Sequence, residues 1–156
     1  MISIDIPGFA NLEIRYLVSD YNGTLAVDGV LLPGVADELS EIANHIDVQV
    51  ITADTFGLAR SQLKGLPVSL TVTPVENQAE TKLDFVTKLG AKATVAIGNG
   101  RNDRKMLEAA AVGIALIQRE GGSVASLAGA DIVCTSIHDA LALIQNPKRL
   151  IATLRS

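Results

Sequence analysis

The sequence predicts an α/β fold in which a mostly parallel sheet is covered by helices on both faces. Two observations lead there. Short runs rich in β-branched residues alternate along the chain with segments of helical spacing, the order expected of parallel strands joined by crossover helices. The composition is 48% hydrophobic but only 3% aromatic, with no Trp, so the core must be built from Ala, Val, Ile and Leu, as buried parallel strands require. At 156 residues the chain fits one domain over 1–156, large enough to bury a core without disulfides.

The elements follow in order. Ile2 to Ile6 and Leu12 onward flank Pro7-Gly8 and predict a short N-terminal hairpin. The strand runs are Ile14 to Ser19, Val48 to Thr52, Val68 to Val72, Thr94 to Ile97, Val112 to Leu116 and Ile132 to Cys134. Between them Val35, Leu39 and Ile42 share one helical face, as do Leu83, Val86 and Leu89, then Met106, Leu107 and Ala110, then Leu141 and Ile144. The tail Pro147 to Leu154 is a further helix, placed either at a subunit interface or against the edge of its own sheet. No linker, repeat or low-complexity segment interrupts the pattern.

Composition narrows the function classes. The net charge is −4 and the 13 Lys and Arg are scattered, so the positive field that draws nucleic acid or an anionic membrane is missing. No apolar stretch approaches a membrane span, and the start lacks the basic region of a signal peptide, so the expected location is the cytoplasm. A single cysteine, Cys134 in the run Asp131-Ile132-Val133-Cys134, excludes an intrachain disulfide and reads as a core thiol. His45 and His138 lie far from any strand end and read as surface or capping residues.

Ligands of open parallel sheets sit at the carboxyl ends of the strands, so the residues after each apolar run carry the chemistry. The first run ends Ser19-Asp20-Tyr21-Asn22-Gly23-Thr24, a carboxylate followed by a glycine turn. The second ends Ile51-Thr52-Ala53-Asp54 and presents a hydroxyl suited to a phosphate oxygen. A third ends Ile97-Gly98-Asn99-Gly100-Arg101-Asn102-Asp103 and supplies a second carboxylate. Carboxylates from separate strands, with backbone carbonyls and water, suit Mg²⁺, a hard cation that prefers oxygen ligands. Lys82 is placed to add positive charge.

In order and spacing these segments resemble the haloacid dehalogenase superfamily, in which strands end in Asp-Xaa-Asp-Gly-Thr, in Thr or Ser, and in a glycine-acid loop, with a Lys between. The phosphorylation domain of P-type ATPases and their soluble relatives is closer still: Ile51-Thr52-Ala53-Asp54 is similar to its Thr-Gly-Asp segment, Gly98 to Asp103 to its Gly-Asp-Gly-Xaa-Asn-Asp hinge, and Ala130-Asp131-Ile132-Val133 to its last core strand. The resemblance implies a Rossmann-like, three-layer fold and an aspartyl-phosphate intermediate. It makes Asp20 the nucleophile, with Asn22 beside it. It assigns the Mg²⁺ site to Asp20, Asn22 through its main-chain carbonyl, Asn99 and Asp103, and the phosphate contacts to Thr52, Lys82 and Gly23.

The chain departs from that pattern where Asn22 and Asn99 replace acids. An amide cannot relay a proton, and proton transfer is worth about 10²–10⁴ in rate, so hydrolysis is expected to be slow. Only 31 residues lie between Asp20 and Thr52, which leaves no room there for a nucleotide-binding or cap domain. With a mean hydropathy of +0.33 the open site is expected to borrow its walls from a homo-oligomer. The expected activity is Mg²⁺-dependent hydrolysis of a small phosphorylated substrate. The alternative is a binding or regulatory protein that has kept the fold and lost turnover.

Overall fold

The computed structural model describes residues 1–156. The chain opens with a two-stranded antiparallel hairpin, β1 (Ile2–Ile6) and β2 (Ala10–Ile14), as the sequence predicts. Strand β3 (Tyr16–Ser19) follows at once. The single run read from Ile14 to Ser19 is therefore divided: Ile14 pairs with Ile2 in the hairpin, whereas Tyr16 pairs with Asp47 and Thr94 in the main sheet. Arg15 is the joint, donating its amide to Ala93 and accepting from Asp47.

The remaining main-sheet strands are β6 (Asp47–Thr52), β7 (Ser69–Val72), β8 (Thr94–Gly98), β9 (Val112–Leu116) and β10 (Ile132–Cys134). A small hairpin, β4 (Ala26–Val27) and β5 (Val30–Leu31), stands between β3 and the first helix. The helices are α1 (Val35–Ile42), α2 (Ala59–Gln62), α3 (Gln78–Leu89), α4 (Arg104–Ala109), α5 (Val124–Gly129), α6 (Ile137–Gln145) and α7 (Pro147–Leu154). The order across the six-stranded sheet is β10-β9-β8-β3-β6-β7, and every pair is parallel.

The larger apolar cluster gathers 27 buried residues, including Val35, Leu39, Ile137, Leu141 and Leu150, beneath α1, α6 and α7. The other face buries 8, among them Val86, Met106 and Leu107 of α3 and α4. Both faces are thus covered, as strands without hydrophobic alternation require. Helix α7 turns Leu150 into the larger cluster and packs on α6 and β1, so its apolar face is occupied by its own chain. The hairpin β4–β5 and helices α2 and α5 are too short to leave a periodic signal in the sequence. The β4–β5 turn is nonetheless written there: Asp28 and Gly29 both take positive φ, 51° and 81°, as a two-residue hairpin turn demands. No helix is long and apolar enough to cross a membrane.

The chain runs from β3 outward through β6 to β7, then crosses back to place β8, β9 and β10 on the other side of β3. The crossover direction therefore reverses at β3 and β8, and their carboxyl ends diverge to open a crevice.

Candidate active site

Asp20 is the first residue beyond β3. Its amide donates to the Ile97 carbonyl of β8 at 2.9 Å, which carries the sheet ladder one residue past the strand and fixes where the carboxylate begins. The chain then coils on itself, the Tyr21 carbonyl accepting from the amides of Thr24, Leu25 and Ala26. The fully buried Tyr21 ring spans the turn, and its hydroxyl donates to the Gly29 carbonyl at 2.9 Å. Burial, with the Asp54 carboxylate adding to it, pushes that phenol up to about 12, so it stays a donor. Gly23 has φ +79°, and a Cβ there would stand 2.3 Å from Asn99 Nδ2, so conformation and space both require glycine.

The centre of the site is a buried triad. Lys82, on α3 and 1% exposed, spends all three ammonium hydrogens: on Asp20 Oδ1 at 3.0 Å, Asp103 Oδ1 at 2.7 Å and Asn102 Oδ1 at 3.3 Å. Asp103 accepts on its other oxygen from the amides of Asn99, at 3.1 Å, and Gly100, at 2.9 Å. A carboxylate so placed holds the β8 loop and the lysine together. Asp20 is freer, since the Thr24 hydroxyl, at 3.3 Å, is the one side chain that hydrogen-bonds its Oδ2. The same hydroxyl stands 3.3 Å from Asn99 Oδ1.

The charges are unequal, with two carboxylates to one ammonium. Burial, then the neighbouring Asp103 charge, raise Asp20 to about 7 against the lowering pull of Lys82. For Lys82 burial works toward neutrality, but the two carboxylates outweigh it and hold the ammonium above the ordinary lysine value. Lys82 is therefore a fixed cation, and Asp20 is the group that exchanges a proton near neutrality.

Above the triad lies a cavity of about 190 Å³ whose lining includes Asp20, Asn22, Thr52, Gln78, Asn99 and Asn102. Four of the seven residues named from the sequence thus share one wall. Lys82 and Asp103 stand behind Asp20, and Gly23 sits beneath Asn99 without lining the cavity. Thr52 is 2% exposed, and its hydroxyl oxygen accepts from the Asp54 amide at 2.9 Å, leaving its hydrogen available to a ligand. Asp54 itself accepts from the Ala59 amide at the start of α2.

Three contributors were not legible beforehand. Asn102 holds Lys82 and is held by Gln78, its Nδ2 donating to Gln78 Oε1 at 2.8 Å. Gln118 donates to the Gly23 and Thr24 carbonyls and accepts from the Ile137 amide, tying the loop after Asp20 to α6. Asn102 lies within the Gly98–Asp103 segment that the sequence reading singled out. Gln78 and Gln118 look there like any surface glutamine. Outside the site, His138 pairs with Glu38 on the surface, and no three His, Cys, Asp or Glu side chains gather into a group that could hold a metal ion.

A parallel sheet with this switch point, this triad and no cap has the arrangement of the haloacid dehalogenase fold. No family model matches the sequence. The chain is 45% identical over 64 residues, 69% of the relative's length and 41% of its own, to an uncharacterised protein of Methanocaldococcus jannaschii, and belongs to the same family. In three dimensions it is similar to the 3-deoxy-D-manno-octulosonate 8-phosphate phosphatase of Moraxella catarrhalis, a complex with magnesium, phosphate and the sugar acid. That likeness has a TM-score of 0.66 at 20% identity, over 92% of this chain and 94% of that one. It is also similar to part of a zinc-transporting PIB-type ATPase, with a TM-score of 0.63 at 29% identity, over 79% of this chain and 20% of the pump. In fold, the chain is a capless member of the haloacid dehalogenase superfamily, as its sequence motifs imply.

Proposed function

We propose that the chain is a phosphohydrolase that works through an aspartyl-phosphate on Asp20 with the help of Mg²⁺. The observation that carries this is the carboxylate of Asp20 bound on one oxygen by a buried, permanently charged lysine and left nearly free on the other, at the floor of a polar cavity. A carboxylate in that setting is wasted as a structural group and apt as a nucleophile. The superfamily fold and the phosphatase among its structural neighbours support the same reading.

The residues present fit a hard divalent cation. Asn22 Oδ1 is a buried oxygen with no hydrogen-bond partner, and Asp20 Oδ2 and Asn99 Oδ1 share only the Thr24 hydroxyl. Asp20, Asn22 and Asn99 would hold Mg²⁺ with oxygen donors, and Asp103 would brace the loop or join them by releasing Lys82. When bound, the metal would offset the charge of the transferring phosphoryl oxygens.

The chain's own residues supply the rest. Lys82 keeps one Asp20 oxygen fixed and neutralises negative charge as it accumulates. The Thr52 hydroxyl is placed to donate to a phosphoryl oxygen. Asp20 then attacks phosphorus, the P–O bond to the leaving group breaks, and a water later attacks the phosphorus of the resulting acyl phosphate, breaking its P–O bond to Asp20, releasing inorganic phosphate and restoring the carboxylate. Asn22 stands where a proton would be given and then taken, and its amide does neither. The leaving group therefore departs as an anion, and the second step is slow.

A second reading has its own observation. With amides at Asn22 and Asn99 the cavity is lined by one carboxylate, Asp20, where acids at both positions would make three, which suits a protein that binds phosphate esters or acyl phosphates without turning them over. Mg²⁺-dependent release of nitrophenol from nitrophenyl phosphate separates the two. The hydrolase reading expects turnover that vanishes in Asp20→Asn, and a binding protein gives none in either form.

A further inference from the structure

Beside the reaction cavity runs a larger open groove of about 1050 Å³, and Gly100 and Asn102 line both. Its lining carries three cations, Arg101, Arg104 and Lys105, and no acid, in a chain whose net charge is −4. Three of the 13 Lys and Arg thus stand together here, against the site.

The cations are not equally engaged. Lys105 pairs with Glu80. Arg104 has only a loose partner, Glu108 at 3.8 Å with both side chains exposed, a pair of little worth. Arg101 is exposed and makes no ion pair. The stem of Arg104 is nevertheless seated: a Cβ on Gly129 would come within 2.9 Å of its Cγ, so the glycine of α5 leaves the room that this arginine occupies. Guanidinium groups present forked donors that match carboxylates and phosphates, and two of them beside an apolar wall of Ala79, Val124, Ala125 and Ala128 make a receptor for an anion on a carbon skeleton.

We infer that this groove receives a second anionic group, carboxylate or phosphate, of a small phosphate monoester whose reacting phosphate enters the cavity at Asp20. The inference rests on the phosphohydrolase reading for which phosphate goes to Asp20, and it identifies the substrate class as bis-anionic.

Matched ligand pairs test it. Titration calorimetry with Mg²⁺ in the non-reacting Asp20→Asn background compares 3-phosphoglycerate with glycerol 3-phosphate, and fructose 1,6-bisphosphate with fructose 6-phosphate. The first member of at least one pair should bind about tenfold more tightly, since a hydrogen-bonded charge is worth that much or more. The pair that responds tells carboxylate from phosphate. Adding Arg101→Ala and Arg104→Ala, with circular dichroism to check the fold, should bring the ratio near one. Equal affinities within both pairs, no binding of any of the four, or a ratio that survives the arginine substitutions overturns the inference. So does tighter binding of a 5′-phosphorylated oligonucleotide than of every small ligand. If the ratios behave as expected while the protein with Asp20 intact hydrolyses none of the four, the groove stands and the hydrolase reading falls.

Discussion

Lys82 donates to Asp20 at 3.0 Å across 62 positions of sequence, the lysine buried and the carboxylate lining the cavity. The contact exists because α3, which leads from β7 back to β8, carries Lys82 to the carboxyl end of β3. It means that fold stability and reactivity are set by the same three charges.

Replacing Lys82 by Met removes the only cation facing Asp20 and Asp103. Breaking a buried pair by deleting one partner costs roughly 3–5 kcal/mol, because the remaining charge is left uncompensated. Urea unfolding of Lys82→Met in metal-free buffer should show a loss of about that size, with Mg²⁺ recovering part of it. A loss under about 1 kcal/mol would mean that water reaches the triad.

The raised Asp20 carboxyl makes metal-free stability depend on pH. The folded state holds this proton up to about 7, whereas the unfolded chain releases it near the ordinary value of 3.8. Between those limits the folded state binds more protons, so stability falls as pH rises through the window and levels off above it. The difference in melting stability between wild type and Asp20→Asn should follow that course from pH 4 to 8, and Mg²⁺ should reverse the fall at pH 8. A flat difference would place Asp20 in water.

Asp103 accepts from two amides of the β8 loop and from Lys82, so Asp103→Ala should both destabilise the protein and raise the Mg²⁺ needed for half-maximal activity. An unchanged metal requirement, with stability lost, would leave Asp103 a brace alone.

Restoring the acid by Asn22→Asp should raise turnover of alkyl phosphates by about 10² or more, within the range of general acid–base catalysis. Substrates with acidic leaving groups should gain less in the first step. In the wild type, acyl and nitrophenyl phosphates should far outrun sugar phosphates and show a burst before a slow steady state. Equal rates on alkyl and aryl esters, with no gain from the substitution, would assign proton transfer elsewhere. Asp54 is close in sequence, but it already caps the start of α2.

The alternation of strand and helix was legible because buried parallel strands admit almost nothing but aliphatic residues, and Val112–Leu116 and Ile132–Cys134 match the sequence reading end to end. The break at Arg15 was not, since a change of pairing partner leaves no mark on hydrophobicity. Asp20, Thr52 and Asn99 were legible as strand-end residues. Their supports were less so: Gln118 joins the loop after Asp20 to α6 across 94 and 19 positions, and nothing local in a glutamine reports such partners. The cationic groove was hidden in the same way. Arg101 and Arg104 lie three apart on a turn, and only the folded chain shows that no acid lines the groove with them.

The central claim is that Asp20 takes the phosphoryl group. Wild-type protein mixed with acetyl phosphate and Mg²⁺, quenched in acid and analysed by peptide mass spectrometry, should carry a hydroxylamine-labile phosphoryl group on the peptide containing Asp20. The modification should depend on the metal and be lost in Asp20→Asn. Steady hydrolysis with Asp20 never modified, or with turnover intact in Asp20→Asn, would contradict the claim.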